Sequence, residues 1–102
     1  MAGASRLSAR DQRPAEAIAL LADHGLRPTA NRLAAFSALC SCARNRWMAP
    51  KAIYAELLSQ GVHMHLPTVY KALGELAVVG LAERQWHPEH KKLVFMFSSP
   101  SR

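Results

Sequence analysis

With 102 residues, 13 Lys and Arg against 7 Asp and Glu, a formal charge of +6 and a pI near 10.0, the chain reads as one basic domain with a modest core. Such a balance favours polyanionic partners, nucleic acid first among them, without conferring specificity. There is no apolar run of about 18 residues and no apolar segment behind the basic N-terminus, so neither a membrane span nor a secretion signal is expected, and the cytoplasm is the default compartment.

Residues 1–12 lack apolar periodicity and read as a flexible basic arm, with Arg6, Arg10 and Arg13 available to a phosphate backbone. Pro14 opens a first helix to about Asp23, with Ile18, Leu21 and Ala22 inward, His24 in the last turn and Gly25 as the stop. Thr29 is an N-cap for a second helix over about Ala30–Ala43, whose apolar side carries Leu33, Phe36, Leu39 and Cys40. Arg27 and Arg32 stand near its start as candidate phosphate clamps; the plain alternative is a pair of solvated cations. Cys40 and Cys42 are two apart and do not face each other on a helix, so no disulfide framework is expected. Segment 43–48 breaks the periodicity and reads as a loop with Trp47 folded back as an anchor. Pro50 then starts a third helix to about Ser59, with Ile53 and Leu57 inward and Gly61 after it.

The stretch Leu66–Gly80, LPTVYKALGELAVVG, organises the rest. Pro67 suits a first helical turn, Val69, Leu73, Leu76 and Ala77 share one face, and Gly80 is placed for a left-handed cap. The other face offers Thr68, Tyr70 and Lys71. A helix over about 67–79 would thus be anchored on one side and free to read on the other. Residues 81–87 and 92–98 then read as two strands around a Pro88-Glu89-His90-Lys91 turn with a basic side at Lys91 and Lys92. Leu93, Phe95 and Phe97 on one face and Val94 and Met96 on the other exceed what a lone hairpin must bury. Either a partner chain covers one face of 92–98, or the strand is buried within its own domain. Helices followed by a hairpin give the expected fold, mainly α with a small β-hairpin: a winged helix-turn-helix over residues 13–98, with a short tail at 99–102. In it the third helix crosses the backbone, the fourth enters the major groove and the hairpin is a wing that lies on phosphate or in the minor groove.

GLRPTANR at 25–32, AIYAEL at 52–57 and LPTVYKALGELAVVGLAER at 66–84 closely resemble the DNA-binding half of the Fur family of bacterial metal-responsive regulators. The resemblance implies a transcription regulator, usually a repressor, binding AT-rich double-stranded DNA as a dimer. It makes Tyr70 the contact to thymine or sugar-phosphate. It also makes Arg27, Thr29 and Arg32 contacts before the reading helix, and Pro67 and Thr68 part of that helix's start, where Thr68 caps or touches phosphate. Lys71 stands where most members carry arginine and gives up a planar bidentate fork. Members continue past the second strand into an α/β dimerisation domain with further metal motifs, and the present sequence reads as the winged half without it. Members also place regulatory metal ligands near the wing, where this chain has His87, Glu89 and His90. Those donors suit zinc, iron or manganese, with His63 or His65 as a candidate fourth ligand, and the alternative is a polar turn with two exposed imidazoles. A protein-interaction module that pairs with or antagonises another protein is the second functional expectation, through a homodimer or heteromeric contact on 92–98. An enzyme is not expected, since no nucleophile with a neighbouring base or carboxylate pair is visible.

Overall fold

A computed structural model describes residues 15–97; the basic arm, Pro14 and the tail beyond Phe97 lie outside the described residues. Among these residues the chain forms α1 (residues 15–23), α2 (Ala30–Cys42), α3 (Pro50–Ser59), α4 (Leu66–Val78), β1 (Glu83–His87) and β2 (Lys92–Met96). The architecture is a winged helix-turn-helix: a helical unit followed by a two-stranded antiparallel hairpin.

Helix boundaries follow local chemistry. The Thr29 hydroxyl accepts from the Arg32 amide at 3.2 Å, so the expected N-cap is in place. Proline opens α3 and α4 where a missing N–H costs nothing. At the far end of α4, Gly80 takes a φ of 89°, a region that side-chain-bearing residues avoid. There the Gly80 amide donates to the Ala77 carbonyl at 3.1 Å and the Leu81 amide to that of Leu76 at 2.9 Å, which closes the helix and reverses the chain toward the wing. These returning bonds also explain why β1 begins at Glu83 rather than Leu81: the amides of Leu81 and Ala82 are committed to α4. At the end of α1, His24 Nδ1 donates to the Leu20 carbonyl at 2.8 Å, a capping role.

The core gathers Leu21, Phe36, Leu39, Ile53, Leu57 and Leu73 with Phe95 and Phe97, and the Phe36 and Phe97 rings meet edge to face at 5.8 Å. Three inward assignments are corrected. In α1, Ile18 is 43% exposed and Ala22 is exposed, while Ala17, Leu20 and Leu21 face the core, because this helix meets the bundle along a narrow edge. Trp47 is 40% exposed and does not anchor the loop; Met48 does, packing on the core and exchanging backbone hydrogen bonds with Phe95 at 2.8 and 2.9 Å. Successive residues of an extended segment point to opposite sides, so only one of Trp47 and Met48 can turn inward. Segment 43–48 is thereby more than a loop: it bridges the outer edge of β2, with Arg44 beside Phe97 and Met48 beside Phe95.

In the hairpin His87 pairs with Lys92 and Glu83 with Met96, and the turn has the expected four residues. On β2, Phe95 and Phe97 enter the core, and Val94 on the other side is only 5% exposed. The chain itself buries Val94, Phe95 and Phe97, while Leu93 and Met96 are half-buried, so most of the strand's apolar surplus is taken up within the domain.

The two thiols are packed rather than presented. Burial pushes the Cys40 thiol up to about 11, against a smaller opposing pull from Arg44. Cys42 donates to the Ala38 carbonyl at 2.9 Å, and burial, then Glu56, raises its pKa too. At pH 7 the thiolate fraction of Cys40 should be roughly 100-fold below that of an unperturbed cysteine. Iodoacetamide should accordingly alkylate the folded protein far more slowly than the urea-unfolded chain. Equal rates would show that these thiols are open and activated.

Candidate nucleic-acid interface

The inner face of α4 is fixed by Val69, Ala72, Leu73 and Leu76, all buried. At 3.6 residues per turn this leaves Pro67, Tyr70, Lys71, Gly74 and Val78 along the outer side. Tyr70 is 43% exposed and Lys71 is exposed, and the Tyr70 hydroxyl makes no hydrogen bond to the described residues. A phenol and an ammonium are thus held out on a rigid helix. Gly74 was not singled out from the sequence. A Cβ there would meet nothing within 4 Å, so packing inside the domain does not demand glycine, although glycine in a helix costs about 1 kcal/mol against alanine.

The helix begins at Leu66, and its capping position is His65, whose side chain makes no capping bond. Thr68 is therefore not the cap expected of it, because the helix starts two residues earlier. It is half-buried and lines an open groove of about 330 Å³ with Thr29, Asn31, Arg32, Lys71 and Glu75. The groove runs between the start of α2 and the outer edge of α4 and brings together Thr29, Arg32, Thr68 and Lys71 of the expected residues, while Arg27, Pro67 and Tyr70 do not line it.

Arg32 has a specific partner in this groove. Its Nε and Nη2 donate to the two carboxylate oxygens of Glu75 at 2.9 and 3.1 Å, and Nη1 donates to the Arg27 carbonyl at 3.0 Å. This bidentate fork ties α2 to α4. The hydrogen bond from Arg32 holds the Glu75 carboxyl below its ordinary range, with a further contribution from Lys71, and the same bond raises the Arg32 guanidinium. Both groups therefore stay ionised at neutral pH, and the negative charge of Glu75 beside Lys71 is neutralised in place. Arg27 keeps an exposed position at the groove's edge.

Beyond Gly80, Lys91 and Lys92 are exposed at the hairpin turn, with Lys91 in the left-handed region at φ 49°. His87, Glu89 and His90 share that turn, their donor atoms all within 4.8 Å of one another. His63 and His65 are exposed on the α3–α4 connector and do not join the group, so a fourth donor from that segment is not supplied. The intervening Met64 is the residue of that connector that enters the core.

α4 thus presents exposed polar groups, with a groove on its flank and two lysines at the hairpin turn. The fold matches that of solved ferric uptake regulators. The Vibrio cholerae ferric uptake regulator, whose DNA-binding domains undergo structural rearrangement, superimposes with a TM-score of 0.73 at 27% identity over 83% of this chain and 63% of that one. The Pseudomonas aeruginosa regulator, solved with manganese, gives 0.71 at 28% identity over 78% of this chain and 57% of that one. The Francisella tularensis regulator, solved with iron, gives 0.63 over 76% of this chain and 58% of that one, and at 18% identity it supports the fold alone. The chain thus spans less than two thirds of the length of each ferric uptake regulator. No family model and no curated protein matches the sequence. Among the described residues no helix is long and apolar enough to cross a membrane.

Proposed function

We propose that this chain is a Fur-like transcriptional regulator, without enzymatic activity, that acts in the cytoplasm and binds double-stranded DNA through α4. The observation that carries the reading is the pair Tyr70 and Lys71. Both are exposed on a helix whose opposite face is locked into the core, in a fold shared with regulators at 27–28% identity. In this reading Tyr70 meets a thymine or the sugar-phosphate, and Lys71 supplies a point charge to phosphate. Pro67, Thr29 and Thr68 border the groove's approach to the backbone, and Lys91 and Lys92 rest the wing on the flanking strand. Arg27 contacts phosphate, whereas Arg32 acts mainly by holding the start of α2 against α4 and cancelling Glu75. Pairing of two copies on AT-rich half-sites would supply the affinity that one short helix lacks. The protein-interaction alternative is weakened with Val94 buried inside the chain, and draws on the exposed apolar side chains, Val78 and Trp86 foremost among the described residues.

The test is a titration of labelled AT-rich and base-scrambled duplexes at several salt concentrations. About four phosphate contacts per copy, each contributing about 0.9 to the slope, predict that log K falls with log salt with a slope near −4. Selective binding with that slope supports the reading. Equal binding to all duplexes, or none, refutes a sequence-reading regulator.

A further inference from the structure

Resting on the reading of α4 as the helix that meets the duplex, we infer that Gly74 is the floor of a notch that receives the 5-methyl group of a thymine in the major groove. Among the described glycines, Gly25, Gly61 and Gly80 hold a positive φ of 83°, 82° and 89°, and so each has a backbone reason to be glycine. Gly74 has none. It is not among the positive-φ residues, it lies inside α4, and a Cβ built on it would meet nothing within 4 Å. Neither the backbone nor the packing of the described residues asks for glycine there, and a helix interior disfavours it more than any residue except proline. What the missing side chain leaves is room on the outer face.

The helix places that room between the two proposed contacts. At about 100° and 1.5 Å per residue, Gly74 lies roughly 40° round the helix from Tyr70 and roughly 60° from Lys71, between them and about one turn further along the axis. Tyr70 is 43% exposed and Lys71 is exposed, so two long side chains stand out on either side of a residue that has none. Val78, one turn beyond, is 78% exposed and bounds the far end. The amide and carbonyl of Gly74 belong to the helix's own ladder, so the floor offers neither donor nor acceptor and suits an apolar group. Among the groups that base pairs present in the major groove, the thymine 5-methyl is the apolar projection. Lys71 beside the notch and a formal charge of +6 favour a polyanion over an apolar protein surface as the occupant.

The test compares the full chain with Gly74→Ala. Both are titrated with the preferred AT-rich duplex and with versions in which single thymines are replaced by deoxyuridine, which lacks only the 5-methyl group. Alanine is the better helix former, so Gly74→Ala should raise Tm by about 5 °C. Its added methyl occupies the notch, so affinity for the thymine duplex should fall at least about 10-fold. In the parent, deoxyuridine at the contacted position should weaken binding by about 4-fold, the worth of one buried methyl. In Gly74→Ala the same replacement should strengthen binding, because one methyl makes way for the other. That reversal of sign at a single thymine is the expected signature. Unaltered affinity of Gly74→Ala, or a loss that is equal for thymine and deoxyuridine at every position, would overturn the notch, as would a lowered Tm, which would show that the domain itself needs the glycine. A parent that binds no duplex, or all duplexes equally, refutes the reading of α4 and the notch with it. A parent that binds selectively and depends on Tyr70 and Lys71, beside a Gly74→Ala variant that binds as well, removes the notch alone.

Discussion

Leu73→Ala is expected to lower the free energy of unfolding by about 3 kcal/mol, within the range seen when a fully enclosed leucine is truncated. Leu73 has no exposed surface, belongs to the central cluster and sits one turn below Tyr70 and Lys71 on α4. The loss combines transfer free energy with the cavity left behind, because α2 and α3 close around this helix and cannot collapse fully onto it. Single domains of this size have about 5–15 kcal/mol in all, so one methyl-rich side chain carries a large share. A loss of this size should also lower Tm by roughly 15 °C, measurable by thermal or urea denaturation. Val78→Ala on the same helix, at 78% exposure, is the control and should change stability by no more than about 0.5 kcal/mol. If Leu73→Ala cost less than about 1 kcal/mol, the inner face of α4 would not be packed as described.

The double substitution Tyr70→Ala/Lys71→Ala has the opposite profile: stability within about 0.5 kcal/mol of the parent and a loss of roughly 100-fold in affinity for the preferred duplex. Both side chains are exposed, so removing them opens no cavity. Their contributions separate. Lys71→Ala should weaken binding to all duplexes alike and reduce the salt slope by about one unit, since a phosphate contact carries no sequence information. Tyr70→Ala should reduce discrimination between duplexes by roughly 10-fold, and Tyr70→Phe isolates the hydroxyl from the ring. Lys71→Arg restores a planar fork and should strengthen binding if phosphate accepts it bidentately. Duplex binding measured by anisotropy, beside an unfolding curve for each variant, checks the whole set. Retained affinity in the double variant would remove α4 from the interface.

The two predictions meet at Glu75. A carboxylate one turn beyond Lys71 would repel phosphate if it stood alone, and Arg32 answers it with a bidentate fork from the neighbouring helix. The pair joins the packing of α2 on α4 to the charge that the groove presents. Fold and the proposed interface are therefore coupled at one contact.

Local signals decided much of this protein. The Thr29 cap, the prolines opening α3 and α4, Gly80 beyond α4 and the four-residue turn each act within a few residues of where they stand in sequence, and the structure has all of them. Periodicity likewise set apart the inner face of α4, and with it the exposure of Tyr70 and Lys71, because side-chain direction on a helix is fixed by spacing alone. What depended on elements distant in sequence was not legible. Arg32 and Glu75 are 43 residues apart, and nothing near either one marks the pairing. The choices of Leu21 over Ile18 and of Met48 over Trp47 turn on which edge of the bundle each segment meets, and composition favours neither. The burial of Val94 also required the assembled sheet, since a strand with two apolar faces is equally consistent with an enclosed position and a partner-covered one. For the wing turn, the sequence placed His87, Glu89 and His90 close along the chain. Only the folded hairpin brought their donors together and left His87 Nδ1 buried without a partner, because ring orientation and solvent shielding follow from the turn's three-dimensional path.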